Sequence, residues 1–237
     1  MSAHPASERR GILAAAAAQL SAYLLEPVEQ TIDSEPAQLE PFPVVAVVSS
    51  AARSGTSTVA RLLAAELAAR TCGAAVVACG GDPARRVAPP TRAASRLAVA
   101  LRGAGEGVRP CGRLCLAGGA DVKRLAGAAR YLAPVVLDIP PDGSASSAAR
   151  EADRTVVVAA AGSEPALAGA VGLVLGGDAL TVVNRVVEPD AWRGRADVFI
   201  PDARVAARAA VIGTRPLGPL GAAIAELADA LGVEAAA

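Results

Sequence analysis

Short apolar runs rich in valine and alanine recur along the chain near 43 to 49, 74 to 79, 112 to 117, 134 to 139, 154 to 160, 180 to 184 and 197 to 200. Such runs lack the polar alternation of a half-exposed strand, and this predicts strands covered by helices on both faces. The segments between them fit helices at 56 to 70, 91 to 102, 120 to 132, 144 to 152, 163 to 174, 202 to 210 and 217 to 232. Pro165 falls in the first turn of one of these, where its missing N–H costs little. Strands alternating with helices predict the α/β class, as a doubly wound, mostly parallel seven- to eight-stranded sheet with helices on both faces. Ligands of such sheets sit beyond the C-terminal ends of the strands, so the residues just after each run are the first candidates for chemistry. No internal repeat is evident.

Composition supports one large core: the chain has 237 residues, 53% apolar and 19% charged. Aromatic residues make up only 2%. The interior must therefore be packed from small side chains, with helices lying close on the sheet. The 23 basic residues balance the 23 acidic ones, which gives no long-range field for nucleic acid or an acidic substrate. Lys123 is the only lysine, so nearly every positive charge is an arginine.

Residues 1–42 precede the first strand run and are expected to form a separate segment, with 43–237 as the main domain. Gly11 to Leu25, GILAAAAAQLSAYLL, is rich in helix formers but too short, and too interrupted by Gln19 and Ser21, to span a bilayer. Two readings stand for it. One is a helix that docks on the domain or on a protein partner. The other is a signal segment, since Arg9 and Arg10 precede it, although no small-residue cleavage site follows. The acidic, proline-bearing stretch from Glu26 to Pro43 then reads as a linker.

The most informative stretch is Val44 to Leu63, VVAVVSSAARSGTSTVARLL: a buried strand, a turn of small residues and a helix start. A phosphate-binding loop has this layout, because N–H groups at a helix N-terminus converge on an anion while a lysine neutralises the outer phosphates. Against G-x-x-x-x-G-K-[ST], Ser50 takes the first glycine position, Gly55 the second, Thr56 the lysine position and Ser57 the hydroxyl. No lysine is near enough to restore the match, and Arg53 is the only cation in the loop. A plain strand-to-helix turn rich in serine and alanine is the competing reading.

The run A-A-R-S-G-T-S-T from Ala51 to Thr58 resembles the deviant phosphate loop of the MinD/ParA group of P-loop ATPases, K-G-G-x-G-K-[ST]-[ST]. Further resemblances follow in family order. VVACGGDP, Val76 to Pro83, is similar to the strand ending in D-x-D-P, with Gly80 in place of the first acid and Asp82 kept. VVLDIPPDG, Val135 to Gly143, resembles the Walker B strand and its turn. TVVVAAAGSEPAL, Thr155 to Leu167, LTVVNRV, Leu180 to Val186, and IPDARVAARAAVIGTRPL, Ile200 to Leu217, look like the three later landmarks. Together these cover roughly Pro43 to Leu231.

The resemblance implies a P-loop NTPase fold, a homodimer, and ATP or ADP with Mg2+ as ligand. It places nucleotide contacts at Ala52, Arg53, Ser54, Gly55, Thr56, Ser57, Thr58, Asn184 and Arg185. Ser57 and Asp138 would hold magnesium, Asp82 would orient the attacking water, and Asn184 would read adenine. Each has a bland counterpart: a turn glycine at Gly55, a capping hydroxyl at Ser57, an Asp-Pro turn at Asp82 and a strand-ending cap at Asn184. Asp138 leans to function, because an acid at the end of a buried strand is costly without a cation or N–H donors.

Both lysines of the family loop are absent, since their positions are Thr56 and Ala51. Phosphoryl transfer relies on positioned cations, and losing one such contact costs about 10² to 10³ in rate. The expectation is a divergent positioning, partitioning or regulatory adaptor, comparable with the pilus-localising branch of the family. It would bind nucleotide weakly or not at all and turn it over little. An active ATPase with Arg53 in place of lysine and a nucleotide-free scaffold are the alternatives. A cytoplasmic location fits this reading.

Other chemistry is thin. Cys72, Cys79, Cys111 and Cys115 lack metal spacing and His4 is the only histidine, so buried thiols are expected over a Cys111–Cys115 pair. Arg185, Arg193, Arg195, Arg204 and Arg208 are candidates for nonspecific DNA contact, against a plain solvated face. The C-terminal run carries Glu226, Asp229 and Glu234, which anionic lipid repels.

Overall fold

The computed structural model describes residues 40–79, 89–119, 121–141, 145–187 and 190–233. The expected N-terminal helix, most of the linker, Asp82 and Gly143 lie outside the described residues. Residues from Glu40 onward form one unit built on a single eight-stranded sheet.

The strands are β1 (Val44–Ser49), β2 (Ala74–Cys79), β3 (Glu106–Cys111), β4 (Leu114–Gly119), β5 (Val135–Ile139), β6 (Arg154–Ala160), β7 (Leu180–Val186) and β8 (Val198–Pro201). Their order is β3-β4-β2-β5-β1-β6-β7-β8. Every neighbouring pair is parallel except β3 with β4. All seven expected strands are present, and β3 is an addition at the edge. Its sequence, EGVRPC, carries Gly107, Arg109 and Pro110 and reads as a loop. An edge strand tolerates proline because one of its sides needs no ladder donor.

The helices are α1 (Thr56–Thr71), α2 (Arg92–Arg102), α3 (Val122–Ala129), α4 (Ala145–Ala149), α5 (Pro165–Val174), α6 (Arg204–Ile212) and α7 (Gly218–Ala230). Alternation along β1 divides the core between two faces. Val45 and Val47 join α1 and α7 on one side, while Val44, Ala46 and Val48 join residues of α2, α3 and α4 on the other. α1 lies on the sheet and is itself overlaid by α6 and α7, so it is buried on almost every side from Val59 to Ala68. Close packing of that kind needs the alanines that make up much of this helix. α5 is the opposite case: it is apolar all round, yet only Ala168 is buried, and Leu173 and Val174 are each 78% exposed. No helix among the described residues is long and apolar enough to cross a membrane.

Register brings the chemistry to one end of the sheet. Val47 pairs with Asp138 and Ser49 with Val158, while Ala160 pairs with Asn184. The C-terminal ends of β1, β5 and β7 therefore face a common crevice, as expected for an open α/β sheet.

Candidate functional site

The turn between β1 and α1 is built around one glycine. Gly55 has φ +85°, a left-handed conformation that glycine adopts without a Cβ penalty, and it caps α1. The Ser50 N–H donates to the Val158 carbonyl at 3.0 Å, and the Ser54 N–H to the Ala51 carbonyl at 3.4 Å. The Thr58 and Val59 N–H groups both return to the Gly55 carbonyl at 3.0 Å. Those of Gly55, Thr56 and Ser57 donate to no acceptor among the described residues, and no side chain caps the helix. Three donors without an acceptor at the positive end of a helix dipole have the layout of an anion-binding nest.

Inside the loop lies a chain of hydroxyls. Ser49 Oγ and Ser54 Oγ are 2.8 Å apart, Ser54 Oγ and Thr56 Oγ1 are 2.7 Å apart, and Ser49 Oγ also donates to the Ala51 carbonyl. Thr56 stands where the motif has lysine and is 7% exposed, so it supplies a short buried hydroxyl in place of a cation. Ser49 escaped the sequence reading; the density of Ser and Thr around the loop was the available signal.

Ser57 and Asp138 meet directly: the Ser57 hydroxyl donates to Asp138 Oδ1 at 3.0 Å. Ser57 is thus turned toward the carboxylate and does not cap its own helix. Burial pushes the Asp138 carboxyl above the ordinary carboxylate range, while the Ser57 hydrogen bond and the charge of Arg61 pull it back. Arg61 was not anticipated, though it lies four residues after Ser57 on the same helix, the spacing that places two side chains on one face. A hydroxyl and a carboxylate at this distance are hard oxygen donors of the kind magnesium takes, with phosphate and water filling the other positions.

A cavity of about 340 Å³ opens over this pair, lined by Gly55, Thr56, Ser57, Thr58 and Asp138 with Pro140 opposite. Its size falls in the range of small-molecule sites. Arg53 and Ser54 also line it, whereas Ala52 sits exposed on the loop.

Asn184 and Arg185 reach the loop from outside the cavity. The Asn184 amide donates to the Ser54 carbonyl at 2.9 Å, and Arg185 Nη2 to the Arg53 carbonyl at 2.5 Å. The remaining candidates are scattered. Asp82 lies outside the described residues, and Arg193, Arg195 and Arg208 are exposed. Cys111 and Cys115 form no disulfide, and the described residues contain no group of three or more histidines, cysteines and acids that could hold a metal ion.

A parallel sheet with a strand–loop–helix nest at its centre and an acid on the neighbouring strand defines the P-loop NTPase class of fold. Within it, the chain carries the MinD/ParA-type fold in a divergent form. Apo McdA from Cyanthece superposes with a TM-score of 0.60 at 13% identity, covering 81% of this chain and 100% of that one. A ParA family ATPase from Chlorobium tepidum gives 0.57 at 16% identity, covering 78% and 98%. The septum site-determining protein MinD from Pyrococcus horikoshii, complexed with Mg-ADP, gives 0.55 at 18% identity, covering 80% and 96%. No family model matches the sequence. No curated protein matches it either.

Proposed function

We propose that this chain is a positioning or partitioning adaptor of the MinD/ParA type that binds nucleotide phosphates at its loop and hydrolyses them slowly or not at all. The observation that carries the reading is the nest itself. The Gly55, Thr56 and Ser57 N–H groups are unspent beside the Ser57–Asp138 pair, while the lysine position holds a buried threonine. Backbone donors and a helix dipole attract phosphate without a lysine. Magnesium would sit on Ser57 and Asp138, where it would screen the phosphate charge. Turnover is a different demand, because charge developing on the transferred group needs positioned cations. Arg53 lines the cavity but is exposed, and its planar fork on a longer stem would not reproduce an ammonium buried within the loop. A nucleotide-linked homodimer is the form in which such a switch would act on a partner.

The test is calorimetric titration with ATP and ADP, with and without magnesium, on the wild type and on Ser57→Ala/Asp138→Ala, alongside phosphate release. Magnesium-dependent binding that the double variant loses, with turnover at least about 10²-fold below that of a lysine-bearing relative, is the expected result. No binding at millimolar nucleotide would leave a scaffold and overturn the reading.

A further inference from the structure

We propose that Asn184 and Arg185 are positioning residues that clasp the phosphate loop, and that the site consequently selects a polyphosphate without reading the base through Asn184. This rests on the loop being a phosphate site and assigns the source of its geometry and specificity.

β7 ends in an irregularity: its pairing with β8 shifts register between Asn184 and Val186, and Arg185 takes φ +61°. Bulges at strand ends re-aim side chains. Here the two consecutive side chains both reach the loop, and they take two consecutive carbonyls, those of Ser54 and Arg53. Arg53 is itself left-handed, with φ +63°. A non-glycine residue in that region is strained and persists where its surroundings hold it.

The clasp has a direct consequence for the nest. Within one peptide unit the carbonyl and the next N–H point in opposite directions. Holding the Ser54 carbonyl toward β7 therefore turns the Gly55 N–H the other way, into the cavity. The fit is close enough to require glycine: a Cβ on Gly55 would lie 2.2 Å from Asn184 Nδ2. Asn184 is 5% exposed, and neither it nor Arg185 lines the cavity among the described residues. One of its amide N–H groups is spent on the Ser54 carbonyl, and the buried side chain is not part of the cavity lining, so it is not placed to read a base held there.

Two measurements on the full chain separate this from the phosphate reading. The first needs no ligand: trypsin cleavage of the Arg53–Ser54 bond, followed by the appearance of a fragment beginning at Ser54. Both carbonyls flanking that bond are held by the clasp, so Asn184→Ala is expected to speed this cleavage about tenfold while cleavage after Arg124 keeps its rate. Arg185→Ala provides the same readout should Asn184→Ala lower the thermal midpoint. Unchanged cleavage at Arg53 in both variants overturns the clasp. The second measurement is competition among ATP, GTP and tripolyphosphate with magnesium. Affinities within about threefold of one another, all weakened together by Asn184→Ala, are expected. An adenine preference above about tenfold that Asn184→Ala abolishes overturns the specificity. Faster cleavage with no binding of any of the three supports the clasp and overturns the phosphate site.

Discussion

Asp138 shows how a single side chain joins stability to function. It sits 8% exposed at the end of β5 with Ser57 as its hydrogen-bond partner, and burial raises its pKa. In the window between the ordinary value of 3.8 and the raised one, the folded state binds more protons than the unfolded state. The contribution of Asp138 to the stability of the metal-free protein is therefore greatest below that window and is lost as pH rises through the folded pKa. Urea titrations in chelator from pH 4 to pH 8 should show this loss. Asp138→Asn should remove it and be more stable than the wild type at pH 7; an unaltered pH profile in the variant would rule Asp138 out as its source. The meeting of Ser57 and Asp138 was legible in the sequence because Ser57 occupies a motif position in the first turn of α1 and Asp138 one near the end of β5. The Ser49, Ser54 and Thr56 hydroxyl chain was not, since the motif names one hydroxyl and the others emerge only when the loop closes on itself.

Elements were legible to the extent that their residues carry a one-sided signal. The valine runs of β1, β5 and β6 could be nothing but buried strand, and their observed bounds fall within a residue or so of expectation. β3 was invisible because its glycine, arginine and proline are permitted only by an edge position, and the edge is a property of the sheet. The same limit hid an ionic cluster around a buried acid. Glu66, 0% exposed in the middle of α1, accepts from Arg70 at 3.0 Å and from Arg215 through two nitrogens at 2.6 and 2.9 Å. Arg70 continues to Asp229 and to the Ala225 and Val233 carbonyls, tying α1 to the end of α7. An Arg70–Glu66 pair can be guessed from its i, i+4 spacing, but nothing in the sequence points from Glu66 to Arg215. Removing one partner of a buried carboxylate costs about 3 to 5 kcal/mol. Arg70→Ala leaves Glu66 its two contacts from Arg215 but also frees the Ala225 and Val233 carbonyls, and it should lower the free energy of unfolding toward the lower end of that range. Arg215→Ala, at a side chain 56% exposed, should cost less than half as much. Equal effects in urea titration would mean that Arg215 and Arg70 share the compensation of the buried charge.

At the scale of the whole molecule, the chain builds an eight-stranded core almost without aromatic residues, so its integrity depends on many small contacts in place of a few large ones. The cysteines report on this, because three of them are spread over the half of the sheet farthest from α5. Cys79 ends β2, Cys111 ends β3 and Cys115 lies in β4; all three are buried, and burial pushes the Cys115 thiol up to about 12. Cys72 alone is exposed, in the left-handed cap that ends α1. A disulfide reagent attacks only an accessible thiolate. At pH 8 the native protein should therefore react quickly at about one thiol per chain, with the other three following at the rate of global unfolding and all four reacting at once in denaturant. The alternative outcome is equally informative. Fast reaction at Cys111 with slow reaction at Cys79 and Cys115 would show that the antiparallel edge opens alone, leaving the parallel strands that carry the loop and Asp138 as the cooperative unit. If Cys79 reacted first, the crevice side of β2 would be the part that opens, and the cavity would be less closed than its lining indicates. A single fast thiol instead requires β3, β4 and β2 to open together with the centre of the sheet, so that the loop between β1 and α1 rests on one cooperative platform.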